Sequence, residues 1–327
     1  MTTVTDLHRS DFNYASQRLF GSFGDILWRD QAGDTVLWLM TNNQLIGQFS
    51  SASLPFVPPD WHVKAAADFD VPSDGANSAD ILWQNDNGAI AHWQMNGTAV
   101  SAINALPNPG PTWHIVGDND FNGDFADDIL FRNDNGSLAI WTITSALTGT
   151  ISGMFAGTQN PGPSWHVVAT GDADGDFKAG VLWQNDNGAL ALWEQPTFAA
   201  GTFTFNTVVA LPTVDASWHV KGMQNVGGGG TVDIVFQNDN GSVATWLMDG
   251  TSMFGVRPIN LNPGPSWHIV ALRDMNNDQR ADILFQNDNG AAAVWEGYHQ
   301  LGGVATFDHV LPIDPNPNPN GHVWDLL

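Results

Sequence analysis

The stretch with the clearest chemical potential is Asp120-Phe121-Asn122-Gly123-Asp124-Phe125-Ala126-Asp127-Asp128. It sets oxygen-bearing side chains at its first, third, fifth and ninth positions around a glycine. Asp120, Asn122, Asp124 and Asp128 so spaced, with a backbone carbonyl and water, can wrap one hard cation, because calcium accepts six to eight oxygens in flexible geometry. Asp274, Asn276, Asp278 and Asp282 repeat the pattern. Asp172, Asp174 and Asp176 repeat its first three positions, but Gly180 stands ninth, so one ligand is lost and a weaker site is expected. Two further loops keep part of it, with Asp68, Asp70 and Asp80 around a longer insert and Asp11, Asn13 and Asp25 near the start. A sixth, Gln224-Asn225-Val226 followed by Gly227 to Gly230, is expected to hold no metal. The competing explanation is that Asp and Asn form Asx turns here. That explains turns but not the whole one-three-five-nine spacing.

These loops occupy the same place in a recurring unit. Each later unit opens on Trp-His, at Trp61-His62, Trp113-His114, Trp165-His166, Trp218-His219 and Trp267-His268, a period of about fifty residues. The acidic loop follows, then a run such as Asp80-Ile81-Leu82-Trp83-Gln84, then Asn85-Asp86-Asn87-Gly88, then a second apolar run ending in Trp93. Asn-Gly between apolar runs predicts a hairpin with a type I′ turn. A fourth run and a Pro-rich connection, Leu106 to Thr112, complete the unit. Four strands in about fifty residues is the β-propeller blade. The runs are apolar on both faces, which predicts sheets covered on both sides. All 15 tryptophans fall at repeat positions, where packing between blades is the expected role.

The predicted fold is therefore all-β, a six-bladed β-propeller of four-stranded blades. Residues 1–10 read as a polar lead-in and 11–327 as one propeller domain. The first unit lacks its opening Trp-His element, and the C-terminal Gly321-His322-Val323-Trp324 resembles one. The last strand is thus expected to pair into the first blade, close the ring and leave no free sheet edge.

Composition narrows the function. With 34 Asp plus Glu against 10 Lys plus Arg and a formal net charge of -24, the surface repels a phosphate backbone, so no nucleic-acid partner is expected. The acidic residues recur at fixed positions instead of forming a tail, which favours cation binding. Without cysteine there is no disulfide framework, thiolate catalysis or Cys-ligated zinc. No apolar run is long enough to insert in a membrane. Met1 to Ser10 shows no signal peptide, so an extracellular or cell-surface setting is suspected on other grounds while a cytoplasmic one stays open.

Asp-Phe-Asn-Gly-Asp followed by Ala-Asp-Asp-Ile-Leu-Phe resembles the FG-GAP or VCBS repeat of integrin α-subunit propellers, bacterial secreted proteins and some fungal propeller lectins. The resemblance spans about residues 11 to 325. It implies a propeller with structural calcium in its blade loops, in an extracellular adhesion or carbohydrate-binding setting. The metal residues are then Asp120, Asn122, Asp124, Asp128, Asp274, Asn276, Asp278, Asp282, Asp172, Asp174 and Asp176.

Three functional readings follow. The leading one is a calcium-stabilised, multivalent, lectin-like propeller, whose repeated weak sites give avidity for a glycan or glycoconjugate. Its candidate contacts are the five Trp-His pairs together with Gln84, Asn85, Asp86, Gln184, Gln237 and Gln286, since aromatic faces stack on sugar rings and amides or carboxylates bind hydroxyls. The competing role for each pair is Trp in the core and His on a loop carbonyl. The alternative is a protein-interaction or adhesion scaffold, decorated by the insertions at Phe69 to Asn77 and Thr197 to Thr207. The third is a propeller hydrolase or polysaccharide lyase. An enzyme needs one unique constellation, whereas His and Asp here recur. The unrepeated Glu194, Glu296, Arg29, Arg132 and His299 lie in different units and form no recognisable motif.

Overall fold

Each of the five later units folds as four antiparallel strands in sequence order, because short β-rich runs are separated by turn residues at every boundary. The computed structural model describes residues 26–30, 35–39, 50–67, 69, 80–96, 99–143, 150–228, 232–276, 278–301, 303–313 and 324–326. The lead-in, the loops containing Asp11, Asn13, Asp25, Asp68 and Asp70, and Gly321 to Val323 lie outside the described residues.

The first sheet holds β1 (Ile26–Asp30), β2 (Thr35–Leu39) and β3 (Ser50–Ser53). The second holds β4 (Trp61–Ala67), β5 (Asp80–Asn85), β6 (Ile90–Asn96) and β7 (Ala99–Leu106). The third comprises β8 (Trp113–Asn119), β9 (Asp128–Asn133), β10 (Leu138–Ile143) and β11 (Ile151–Gly157). In the fourth are β12 (Trp165–Gly171), β13 (Gly180–Asn185), β14 (Leu190–Ala199) and β15 (Thr202–Leu211). The fifth runs β16 (Trp218–Gln224), β17 (Asp233–Asn238), β18 (Val243–Asp249) and β19 (Ser252–Pro258). The sixth runs β20 (Trp267–Arg273), β21 (Asp282–Asn287), β22 (Ala292–Leu301) and β23 (Val304–Ile313), and β24 (Trp324–Leu326) ends the chain.

The opening strands of successive sheets stand side by side, β4 by β8, β8 by β12, β12 by β16 and β16 by β20. The core lies between sheets. One cluster joins Ile81, Trp83 and Trp93 to Leu27, and another joins Leu182 and Leu192 to Ile234, Phe236 and Trp246. Middle strands are therefore buried on both faces, as β5 is throughout and β18 is up to Asp249, whereas the outer β7, β11 and β19 alternate between half-buried and exposed residues. Stacked four-stranded sheets with adjacent opening strands are consistent with a β-propeller. Among the described residues no helix is long and apolar enough to cross a membrane.

The aromatic rings of the middle strands also pair within each sheet. In the second and fourth sheets Trp83 meets Trp93, and Trp183 meets Trp193, both at 5.1 Å between ring centroids. In the third, fifth and sixth a phenylalanine takes the first place: Phe131 on Trp141, Phe236 on Trp246 and Phe285 on Trp295, at 4.5 to 4.8 Å.

Three expectations are corrected. The Asn-Asp-Asn-Gly hairpin is not type I′. Gly88 Nα–H donates to the Asn85 carbonyl and Asn85 to the Ala89 carbonyl, while only Gly88, and not Asn87, has positive φ. That is a three-residue loop, a type I turn followed by a left-handed glycine. A Cβ at Gly88 would collide with the Gly110 backbone and the Asn108 side chain, so turn and connection fit only with glycine there.

At the C-terminus β24 does pair with β1, but through Trp324, Asp325 and Leu326 opposite Asp30, Arg29 and Trp28. In the second sheet the counterparts Asn85, Gln84 and Trp83 face Trp61, His62 and Val63. The element paired to β1 is therefore Trp324-Asp325-Leu326, three residues beyond the Gly-His-Val match, with Asp325 in the histidine's register position.

The insertion at Thr197 to Thr207 is not a free decoration. It lengthens β14 and β15 so that β15 pairs in parallel with β11, Ala156 opposite Thr202, and joins the third and fourth sheets into one of eight strands. Phe203 and Phe205 are buried in the junction.

Candidate functional site

The Trp-His pairs sit where the opening strand of each sheet meets its own hairpin turn. The turn is fastened to the residue before the tryptophan. Asp86 Nα–H donates to the Asp60 carbonyl, and the side-chain amide of Asn85 to the Asp60 carboxylate at 2.9 Å. Asn133, Asn185, Asn238 and Asn287 make the same link to Thr112, Ser164, Ser217 and Ser266 at 2.8 to 3.1 Å. The Asn85 side-chain Oδ1 also accepts from Asn87 Nα–H, so both ends of that side-chain amide hold the turn.

On this frame each histidine pairs with the aspartate of the turn. His62 with Asp86, His114 with Asp134, His166 with Asp186, His219 with Asp239 and His268 with Asp288 lie at 2.7 to 2.8 Å. The imidazoles are 35 to 53% exposed and the carboxylates 62 to 70%. Beside them the opening tryptophans are half-buried, one side packed on the inter-sheet core. The five corners are thus near-identical. The histidine meets a carboxylate, not a loop carbonyl, and Asp134, Asp186, Asp239 and Asp288 join Asp86 as site residues. Their recurrence in Asn-Asp-Asn-Gly was the signal available for them.

The glutamines have a different place. Gln84 donates to the Trp113 carbonyl at 2.7 Å and accepts from Ile115 Nα–H at 2.9 Å, both in the next sheet. Gln184 does the same with Trp218 and Val220, and Gln237 with Trp267 and Ile269. Each accepting contact falls beside a bulge in the opening strand, between Ile115 and Gly117, Val220 and Gly222, or Ile269 and Ala271. Both ends of the amide thus clip one sheet to the next instead of facing a ligand. Gln286 is equally buried. Arg29 and Arg132 stand at this same strand position. Arg29 donates to the Trp61 and Pro58 carbonyls, Arg132 to the Gly162 carbonyl, and each lies over a tryptophan of the next sheet, Trp83 or Trp183.

The acidic loops of the third, fourth and sixth sheets share one conformation. Asp120 accepts from the backbone N–H groups of Gly123, Asp124 and Phe125. Asp172 accepts from Gly175, Asp176 and Phe177, and Asp274 from Asp278 and Gln279. The sixth residue of each loop, Phe125, Phe177 or Gln279, has φ of 65 to 68°. Asp124, Asp176 and Asp278 each close a short turn two residues on, and Asn276 accepts from Asp278. Asn122 donates weakly to Asp128 at 3.4 Å. Ligand oxygens of Asp172, Asp174 and Asp176 all lie within 4.8 Å of one another. In the fifth sheet Asn225 accepts from Gly228 Nα–H just as Asp120 does from Gly123, so an uncharged residue suffices for the turn.

The ninth position is buried. Asp128 accepts from Phe121 and Ile143 Nα–H, and burial drives its carboxyl up to about 8, with Asp120 and Asp124 adding to the rise. Asp282 accepts from Met275 Nα–H and is likewise pushed to about 8 by burial, then by Glu296, Asp278 and Asp274. In the second sheet Asp80 is instead paired with buried His92 at 2.7 Å. The fourth sheet has no ninth-position carboxyl, yet Glu194 of β14 is fully buried and driven up to about 9, by burial first and then by Asp174, Asp172 and Asp176. Glu194 and Glu296 share one strand position, directly after Trp193 and Trp295.

Fold and site together define an all-β repeat protein whose described residues present five equivalent Trp/His–Asp corners and three acidic loops. No protein-family model and no curated protein matches the chain. Among solved structures, a mutant of AofleA from Arthrobotrys oligospora with three arginines changed to alanine matches 95% of this chain and 90% of its own, with a TM-score of 0.56 and 10% identity. At that identity the likeness extends to the fold alone. The FG-GAP and VCBS resemblance rests on the loop residues.

Proposed function

We propose that this chain is a closed six-bladed β-propeller, stabilised by calcium in its acidic loops, that binds glycans through repeated corners. The observation that carries the reading is the five-fold recurrence of a half-buried tryptophan beside an exposed His–Asp pair. A tryptophan face stacks on the apolar face of a sugar ring, and an imidazole and a carboxylate held 2.7 to 2.8 Å apart offer a donor and acceptors to vicinal hydroxyls. One such corner binds weakly; several on one rigid frame bind a repetitive ligand with avidity. The likeness to AofleA supports the architecture and adds no ligand.

Closure of the ring is supported by the β24 to β1 pairing. Calcium is supported by the acid at the first loop position, where the fifth sheet makes the same turn contact with the uncharged Asn225. An extracellular setting follows from the glycan reading. For the scaffold alternative, the Thr197 to Thr207 insertion pairs with β11, and all but Phe69 of the Phe69 to Asn77 insertion lies outside the described residues.

A glycan array probed with the full chain in calcium and after chelation tests this. Binding in calcium that weakens on chelation is expected. Absence of binding to any glycan in calcium would remove the reading.

A further inference from the structure

The fourth sheet has lost the ninth-position aspartate, and from sequence its loop reads as the weakest of the three acidic sites. The side chains place another carboxyl group at that position. A Cβ placed on Gly180 would run into Oε1, Oε2 and Cδ of Glu194, so the carboxyl group of Glu194 fills the space that an aspartate side chain at 180 would occupy. The glutamate arrives from the neighbouring strand, where Trp193 pairs with Val181, and Gly180 is the residue that leaves room for it. In the third sheet the arrangement is inverted: Asp128 fills the pocket and the equivalent third-strand residue is Thr142, hydrogen-bonded to Ser152.

Glu194 is fully buried, and neither carboxylate oxygen makes a hydrogen bond of normal geometry, although the Ala173 amide lies close. Leaving such a group unpartnered is costly, and a metal ion is one of the few groups that satisfies it. It lies within electrostatic reach of Asp174, Asp172 and Asp176, whose own oxygens are gathered within 4.8 Å of one another in a group that does not include Glu194.

We infer that Glu194 is the relocated fourth carboxylate of a calcium-sized divalent cation site formed with Asp172, Asp174 and Asp176, and that Gly180 and Glu194 together replace the Asp128 and Thr142 pair of the third sheet. Four carboxylates give this loop the charge and oxygen count of a full site, with water completing the shell. The same device recurs in part in the sixth sheet. Glu296 occupies the equivalent position beside Asp274 and Asp278, retains Asp282 as well, and has a buried oxygen without a hydrogen-bond partner. At this strand position the remaining units carry Leu39, Gln94, Thr142 and Leu247, so a glutamate occurs only where an acidic loop faces it.

This inference rests on the calcium part of the proposed function and is independent of the glycan part. The test is a count of bound calcium and its affinity by calorimetry on chelator-stripped full-length protein, with melting temperature read in calcium and in chelator. Glu194→Gln is expected to remove one calcium per chain, or to weaken one site about tenfold or more, and to melt no lower than wild type in chelator. The double variant Gly180→Asp with Glu194→Thr, which rebuilds the third-sheet pair, is expected to restore the site.

Wild-type protein that binds calcium while Glu194→Gln binds as many ions as tightly would overturn the inference and leave the calcium reading standing. Wild-type protein that binds no calcium would end both. Glu194→Gln that melts lower than wild type in chelator, or a folded double variant that does not recover the ion, would assign the glutamate a packing role and also overturn it. None of these outcomes depends on a glycan.

Discussion

Replacing Gln237 by leucine isolates the clip that ties the fifth sheet to the sixth. The side chain is 4% exposed, donates to the Trp267 carbonyl at 2.7 Å and accepts from Ile269 Nα–H at 2.9 Å. Leucine keeps most of the volume and the apolar stem but leaves both partners unpaired. Ile269 is 2% exposed and flanks a bulge, so its N–H has neither ladder partner nor water, and stranding it costs about 2 kcal/mol. The Trp267 carbonyl belongs to a half-buried residue that water can reach, which limits its loss to about 1 kcal/mol. The expected destabilisation is therefore about 3 kcal/mol, offset slightly by the better transfer of leucine out of water. Equilibrium urea unfolding, followed by tryptophan fluorescence, reads it as a lowered midpoint. His219→Ala on the adjacent strand serves as the reference, since an exposed pair contributes under about 0.5 kcal/mol. A Gln237→Leu midpoint within the error of that reference would refute the assignment of these glutamines to inter-sheet clips.

Other outcomes follow from the same geometry. Asp233, buried in the fifth sheet away from any acidic loop, is pushed by burial from 3.8 to about 6, with the Gly227, Met248 and Val226 amides offsetting part of the rise. Its folded form holds the proton more tightly than the unfolded chain, so its contribution is complete below about pH 4 and is lost as pH rises through 6, in total about 3 kcal/mol. Asp233→Asn should remove that slope from the pH dependence of the urea midpoint; an unchanged slope would contradict it. Gly241→Ala, at φ of 88°, would meet the Gly264 backbone, whereas Gly264→Ala, at φ of 90°, faces open space. Both pay about 1 to 2 kcal/mol for the left-handed conformation, and the first should melt lower than the second. Deleting residues 321–327 removes β24 from β1 and should collapse the thermal stability of the whole domain, while unchanged melting would argue against closure.

Much of this fold is legible in the chain because its signals are local and repeated. Trp61, Trp113, Trp165, Trp218 and Trp267 each begin an opening strand, and Asp80, Asp128, Asp233 and Asp282 each begin a second strand. What escapes the sequence depends on contacts between distant segments. Gln84 looks like part of a polar corner, but it is still in β5 and reaches the next sheet, whereas Asp86 is past the strand end in the turn and faces solvent. Asn-Gly marks a turn without fixing its length, so the type I turn with a left-handed glycine is set by the Asn85 to Ala89 pairing. The Gly-His-Val match at 321 is outvoted by register, since Trp324 faces Asp30 as Trp61 faces Asn85. Glu194 looked isolated because its counterpart is an absence, the missing side chain at Gly180, which a motif search passes over.

The most direct test of the account is a crystal of the calcium-loaded chain soaked in mixed monosaccharides. Sugar density stacked on the half-buried tryptophans and within hydrogen-bonding reach of the His–Asp pairs, in more than one of the five corners, is the predicted result. Density confined to the acidic loops, or at a single unique place elsewhere on the surface, would contradict a propeller that binds glycans through repeated corners.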